Sequence, residues 1–132
     1  MWPNGIQKQK MAKEYLDKLA VLVDKTTAGT FNNINLECKH FFSGAALYVN
    51  GKICMSLTPI GFAIKLPEES RNVLLKQKGI KPLRYFPKGP IKKDYVILSK
   101  TILNDVNILR YWVKRCIEHV VSLPESAKKK GK

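Results

Sequence analysis

Apolar and polar positions repeat with two different periods along the first part of the chain, and the change of period marks the predicted elements. Between residues 8 and 24, apolar residues recur every three or four positions while lysines occupy much of the opposite side. This spacing predicts a first helix. Residues 31–42 mix polar and apolar side chains, and the alternation over residues 34–41 predicts a strand with one solvent-facing side.

The next segment predicts three short strands joined by two tight turns. Asn50-Gly51 lies between two apolar runs, and this dipeptide favours a hairpin turn because both central residues of a type I′ turn need positive φ. A second turn is predicted at residues 58–61. The strands are therefore expected at 45–49, 52–57 and 62–66.

A second helix is predicted to begin at residues 67–70. Proline is tolerated in a first helical turn, and acidic side chains there interact favourably with the helix dipole. We expect Val73 and Leu74 to form its buried side, with Leu75 nearby, and Gly79 to end it.

Two further strands and a third helix complete the predicted order. The strands are expected at 83–86 and 95–98, separated by a loop with proline and glycine at 87–90, and Asn104 or Asp105 is expected to cap the helix. An apolar stripe on this helix comprises Val106, Leu109, Val113, Ile117 and Val120. The order α-β(3-4)-α-β(2)-α predicts an α+β fold of two layers, with helices covering an antiparallel sheet.

Length and composition indicate one domain. The chain has 132 residues, and we expect a single domain over residues 1–123 followed by a disordered, lysine-rich tail at 124–132. No apolar run approaches the ~20 residues of a membrane-spanning helix, and the amino terminus lacks a signal-peptide core, so we expect a cytoplasmic protein without membrane contact. The three cysteines form no Cys-x-x-Cys pair, which favours reduced, mostly buried thiols.

Charge changes this picture most. Twenty-four lysines and arginines against ten acidic residues give a formal net charge of +14, which favours contact with nucleic acid or an acidic protein surface. The densest basic run, residues 76–93, contains no acidic residue. Within it we assign partner contacts to Lys81, Arg84, Lys88, Lys92 and Lys93. The more common explanation for such a run is a solvated edge that keeps a short strand from aggregating.

Several segments resemble the TfoX amino-terminal domain family. The likeness covers residues 36–121 and keeps every element in order, although Ser43 and Ala46 replace two glycines of the usual family motif. The segments that carry it are Phe42-Ser43-Gly44-Ala45-Ala46-Leu47-Tyr48, Asn50-Gly51-Lys52, Phe62-Ala63-Ile64-Lys65, Tyr85-x-Pro87-Lys88-Gly89 and Asp94-Tyr95.

The resemblance implies a fold similar to that of secretion chaperones and a regulatory, non-catalytic role. Full-length members of the Sxy/TfoX group regulate natural competence together with a cyclic-AMP receptor protein, and they carry a second, carboxy-terminal domain. Because the likeness covers only the first of these two domains, the resemblance implies a stand-alone first domain with a transcription-regulator partner.

Other candidate chemistry is sparse. Cys38 and His40 share one strand face, and Cys116 and His119 lie one helical turn apart, so each pair offers two of the four ligands of a structural zinc site. A combined site would require the last helix to lie over the first strand. No phosphate-binding glycine loop, dinucleotide motif or activated nucleophile is present, so we expect neither a cofactor nor catalysis.

Two alternatives to charge-driven binding stay open. The first is a protein-interaction module, such as a homodimer that uses a sheet edge or the third helix, and the second is a small enzyme. The small residues 43–46 also permit close approach of a partner or of the third helix at the start of a strand.

Overall fold

A computed structural model of the chain describes residues 4–27, 31, 33–84 and 88–124, with side chains from residue 13 onward. Most of the predicted basic tail lies outside these residues, so its disorder stays a prediction. Within them, no helix is both long enough and apolar enough to cross a bilayer. The elements are α1 Asn4–Thr27, β1 Leu36–Phe41, β2 Gly44–Val49, β3 Lys52–Thr58, β4 Gly61–Lys65, α2 Glu68–Leu75, β5 Lys81–Leu83, β6 Lys92–Ile97, α3 Lys100–Leu103 and α4 Val106–Ser122.

The six strands form one open antiparallel sheet in the order β1-β2-β3-β4-β6-β5. Strands β1 to β4 form a meander, and β6 then inserts between β4 and β5, so that β1 and β5 are the two edges. Helices α1 and α4 pack on the sheet and on each other. The predicted α+β fold, with helices layered on an antiparallel sheet, is confirmed.

The hairpin between β2 and β3 has the predicted turn. Asn50 and Gly51 have φ values of 51° and 84°, as a type I′ turn requires. The Asn50 side chain also accepts a hydrogen bond from the backbone N–H of Asn35 at 2.9 Å, while the backbone N–H of Asn50 donates to the Asn35 carbonyl at 2.8 Å. These bonds fasten the segment before β1 to the turn.

The core lies between the central strands and two helices. Phe62 of β4 is completely buried and is the largest such side chain among the residues that the structure describes. The same apolar cluster contains Leu19 and Val23 of α1 and Val113 and Ile117 of α4. Each Å² of apolar surface removed from water contributes about 25 cal/mol to the free energy of folding, so this cluster is the main source of stability.

The predicted buried side of α2 was partly wrong. Leu74 is completely buried, but Val73 and Leu75 are 53% and 41% exposed. Ser70, four residues before Leu74, shares the buried side instead, and it is 5% exposed. Residues one position from Leu74 lie about 100° around the helix, so they cannot share its contact with the core.

The second half of the chain departs from prediction at three places. Strand β5 ends at Leu83, whereas the predicted strand began there, and β6 begins at Lys92, three residues earlier than expected. The short helix α3 was not predicted, and the Ser99 side chain caps it by accepting from the N–H of Ile102 at 3.3 Å.

Helix α4 begins as predicted at one of its two candidate caps. Asp105 accepts hydrogen bonds from the backbone N–H groups of Asn107 and Ile108, and so satisfies two donors that a helix start leaves open. The predicted stripe is buried from Leu109 to Val120, but Val106 at the helix start is 36% exposed.

Candidate basic surface

Strand β5 forms one edge of the sheet and is held there by a single buried side chain. Leu83 is completely buried, whereas Lys81 and Pro82 are exposed. Proline cannot donate to a further strand, and an exposed lysine opposes pairing with another chain. The three-residue strand is therefore typical of a protected edge.

The five predicted contact residues are all exposed and belong to this end of the sheet. Lys81 begins β5, Arg84 follows it, Lys88 lies in the connection, and Lys92 and Lys93 begin β6. We call the set Lys81, Arg84, Lys88, Lys92 and Lys93 the β5–β6 corner.

Strand pairing determines which of these residues are close along the backbone. Leu83 is paired with Lys92, so Arg84, which follows Leu83, lies at the same end of the β5–β6 pair as Lys92. Lys81 is paired with Ile97 at the other end, about 7 Å from Leu83 along an extended strand. The interleaved aromatics Tyr85 and Phe86 lie outside the described residues, so their role in stacking stays a prediction.

An acidic residue follows the basic run directly. Asp94 lies 3.8 Å from Nη1 of Arg71 on α2, and its side chain is 67% exposed. The same Nη1 donates to the carbonyl of Lys93. Arg71 thus fastens α2 to the start of β6, and it holds the backbone that carries Lys93.

A shallow cavity of about 210 Å³ separates α2 from β5 and β6. Glu68 and Arg71 line it on the α2 side, and Pro82, Lys93 and Tyr95 line it on the sheet side. Because a carboxylate lies opposite the lysine, the cavity itself is not a purely cationic site. The candidate surface is therefore the exposed corner beside it.

Sequence reasoning missed a second cationic group on α4. Arg110, Lys114 and Arg115 line a cavity of about 280 Å³ with Tyr111 and Glu118. The i, i+4 spacing of residues 110 and 114 was the available signal, because it places both on one helical side. Two members are already engaged: Nη2 of Arg115 donates to the Ser70 hydroxyl on α2 at 3.3 Å, and Nη1 of Arg110 donates to Oδ1 of Asn107 at 3.1 Å.

The electrostatic environment of His119 reflects these cations. Partial burial lowers its pKa below the ordinary value, and the positive charge of Lys65 acts in the same direction. Arg71 and Arg115 add smaller contributions, which Asp94 opposes. His119 therefore lies where positive charge from the sheet, α2 and α4 converges.

The combined zinc site considered from the sequence is not assembled. Among the described residues, no group of three or more His, Cys, Asp and Glu side chains is arranged to hold a metal ion. Cys38 is half-buried on β1, and burial raises its pKa, as does the charge of Asp24 to a lesser extent. Cys116 is completely buried, and its Sγ lies 2.9 Å from Sγ of Cys54 on β3.

The small residues at the start of β2 serve the sheet itself. A Cβ atom on Gly44 would lie 2.1 Å from the carbonyl oxygen of Leu57 on β3. The close approach that residues 43–46 predicted is therefore made by the adjacent strand. Of the helices, α1 packs most extensively on β2, whereas the predicted third helix, α4, contacts it only slightly.

Comparison with known families decides the classification. The sequence profile of the TfoX N-terminal domain matches residues 31–120. This chain belongs to the TfoX N-terminal domain family. The matched span begins before β1 and includes all six strands and nearly all of α4, while α1 precedes it.

Membership indicates a regulatory type of domain, and TfoX N-terminal domains are generally non-catalytic. A search of curated proteins finds no match to the chain. The family assignment therefore supports the fold and the broad class, and the partner has to be argued from the surface.

Proposed function

We propose that this TfoX N-terminal domain acts by binding rather than by catalysis, and that its β5–β6 corner contacts the phosphate backbone of a nucleic acid. The role is regulatory and cytoplasmic, exercised together with a transcription regulator. An acidic protein surface is the alternative partner for the same cations.

The observation that carries the proposal is the exposure of all five cations at one protected edge of the sheet. Lys92 is paired with Leu83 of β5, and the carbonyl of Lys93 accepts a hydrogen bond from Arg71 on α2, so the fold sets the backbone positions of both lysines. Cations on a rigid element can contact successive phosphates with little loss of conformational entropy.

The formal net charge of +14 acts over a longer range than these contacts. It attracts any polyanion and raises the encounter rate, but it does not select a sequence. We therefore expect binding that depends strongly on salt and only weakly on base sequence.

A salt titration tests this proposal. Fluorescence anisotropy of labelled duplex and single-stranded oligonucleotides is measured with the full chain from about 50 to about 300 mM salt. We expect the logarithm of the association constant to fall linearly with the logarithm of salt concentration, with a slope of roughly −2 to −4 on duplex DNA. The absence of a complex at the lowest salt, or an affinity independent of salt, would refute phosphate contact.

A homodimer through α4 is the second candidate, and exposed apolar side chains favour it. Ile108 and Tyr111 on this helix are 42% and 55% exposed. Light scattering across protein concentrations would show a dimer that Ile108→Ser weakens, whereas the matched change at Val21 of α1, Val21→Ser, would leave it intact because this side chain is exposed on a different helix. Under the nucleic-acid proposal, both variants bind DNA as the unmodified chain does.

A further inference from the structure

Two cysteines far apart in the sequence meet between the two layers of the fold. Cys54 lies on β3 and Cys116 on α4, 62 positions apart, and neither has any solvent exposure. Their sulfur atoms are 2.9 Å apart, and both are free thiols. Cys116 Sγ also lies 3.2 Å from the Cys54 carbonyl oxygen. Because each thiol has one hydrogen, Cys116 donates to this carbonyl and Cys54 donates to the Cys116 sulfur.

An irregularity in the sheet explains how Cys54 reaches the helical layer. Leu47 and Tyr48 are consecutive on β2, but their partners on β3 are Met55 and Ile53, so Cys54 is an extra residue between two pairs. A β-bulge of this kind changes the direction of the side chain at the inserted position. Cys54 and Met55 are adjacent, yet both are completely buried in the core cluster. Regular strand alternation would send them to opposite faces.

We propose that Cys54 and Cys116 are an oxidation site, at which a peroxide converts the thiol pair into a disulfide that fastens α4 to the sheet. Sulfur atoms 2.9 Å apart need to approach by only about 0.9 Å to reach the S–S bond length of a disulfide. Rotation of the two side chains supplies a movement of that size without separating the layers.

The reaction balances with one peroxide molecule for each disulfide. A thiolate of the pair attacks a peroxide oxygen, the O–O bond breaks, and the sulfur becomes a sulfenic acid while water leaves after protonation. The second thiol then attacks that sulfur, the S–O bond breaks, and a second water leaves as the S–S bond forms. The two sulfurs lose two electrons in total, and the peroxide gains them.

Burial controls how fast this happens. Burial raises the pKa of Cys54, and the hydrogen bond with Cys116 raises it further, so the folded protein keeps Cys54 as the unreactive thiol. Because neither sulfur is exposed, the oxidant reaches the pair only when α4 opens from β3. The disulfide therefore forms only during prolonged exposure to the oxidant. Once formed, it suppresses the separation of α4 from β3 through which the oxidant reaches the thiols.

Peptide mapping tests the site directly, because each cysteine lies on a different tryptic peptide. The folded full chain is treated with hydrogen peroxide, remaining thiols are alkylated in denaturant, and the digest is analysed by mass spectrometry. Cleavage after lysine and arginine places Cys38 on residues 26–39, Cys54 on 53–65 and Cys116 on 116–128. We expect the linked pair 53–65 with 116–128 to dominate, and its reduction to restore both free peptides.

Variants and thermal unfolding complete the test. Cys38→Ala should keep the cross-link, and Cys116→Ala should abolish it. The cross-linked chain should melt about 5–15 °C above the reduced chain, because the bond closes a loop of about 60 residues. Any of three results would overturn the proposal. The first is a dominant link that involves Cys38, and the second is a Cys54–Cys116 link that forms in the unfolded chain but not in the folded chain. The third is a Tm that is unchanged or lowered by the cross-link.

Discussion

The centre of the sheet and its β5–β6 end differ in the burial and charge of their side chains. In β2, every residue except Tyr48 is buried, and α1 and α4 cover the apolar cluster to which β2, β3 and β4 contribute. In β5, by contrast, only Leu83 is buried, and the first three residues of β6 are exposed and charged. The centre therefore provides stability, and the corner provides charge at little cost to that stability. Substitutions at the two places should separate folding from binding.

The largest expected effect on stability comes from the centre. Phe62→Ala removes the largest completely buried side chain, and it should lower the free energy of unfolding by about 3–5 kcal/mol. Urea denaturation followed by circular dichroism measures the change. Val73→Ala is the matched control, because Val73 is 53% exposed, and it should stay within about 0.5 kcal/mol of the unmodified chain. Equal losses in both variants would contradict the assignment of the core.

The close approach of β2 and β3 predicts the next effect. Gly44→Ala places a Cβ 2.1 Å from a backbone oxygen that cannot rotate away, so the two strands must separate locally. We expect a loss of roughly 3 kcal/mol by urea denaturation.

Gly51→Ala provides the comparison for a glycine required by conformation alone. Gly51 has φ of +84°, but a Cβ there would have no described atom within 4 Å apart from those of Gly51 and its two chain neighbours. The cost should therefore be only about 1 kcal/mol, that of placing an alanine in the left-handed region. If Gly51→Ala were the more damaging of the two, the close contact at Gly44 would not be the controlling factor.

A smaller effect on stability is expected from the titration of His119 on α4. Because the pKa of His119 is lowered in the folded protein, the folded chain binds fewer protons than the unfolded chain once the pH falls below about 6.5. Stability should therefore decrease as the pH falls through that value, and His119→Gln should reduce the decrease. Urea midpoints at several pH values, compared between the two chains, measure it. A steeper loss in His119→Gln would show that the imidazolium is favoured by the fold.

Patterns of local sequence predicted much of the fold. Asn50-Gly51 determined the hairpin because few other residues accept positive φ, and Asp105 marked the start of α4 because its side chain caps two N–H groups. The family resemblance over residues 36–121 agrees with the matched span of 31–120.

The features that were missed depend on length or on distant neighbours. Helix α3 has four residues, too few to show a helical period, and β6 begins with three charged residues that disfavour a strand assignment. The bulge at Cys54 breaks the alternation on which strand prediction rests, so its meeting with Cys116 is visible only in three dimensions. For the candidate surface, sequence predicted the cations of one run, but it could not show that Arg71 of α2 lies beside them.

The most direct test of the corner compares two triple variants with the same change of charge. Lys88→Gln, Lys92→Gln and Lys93→Gln neutralise the corner, while Lys13→Gln, Lys18→Gln and Lys25→Gln neutralise exposed positions on α1. Both sets should fold with stabilities close to that of the unmodified chain, since exposed charges contribute little. In the duplex DNA salt titration, the corner variant should reduce the magnitude of the slope by up to about 2.7, at about 0.9 for each of the three lost phosphate contacts, and the α1 variant should leave it unchanged. Equal losses in the two variants would contradict a localised binding surface and attribute the affinity to net charge alone.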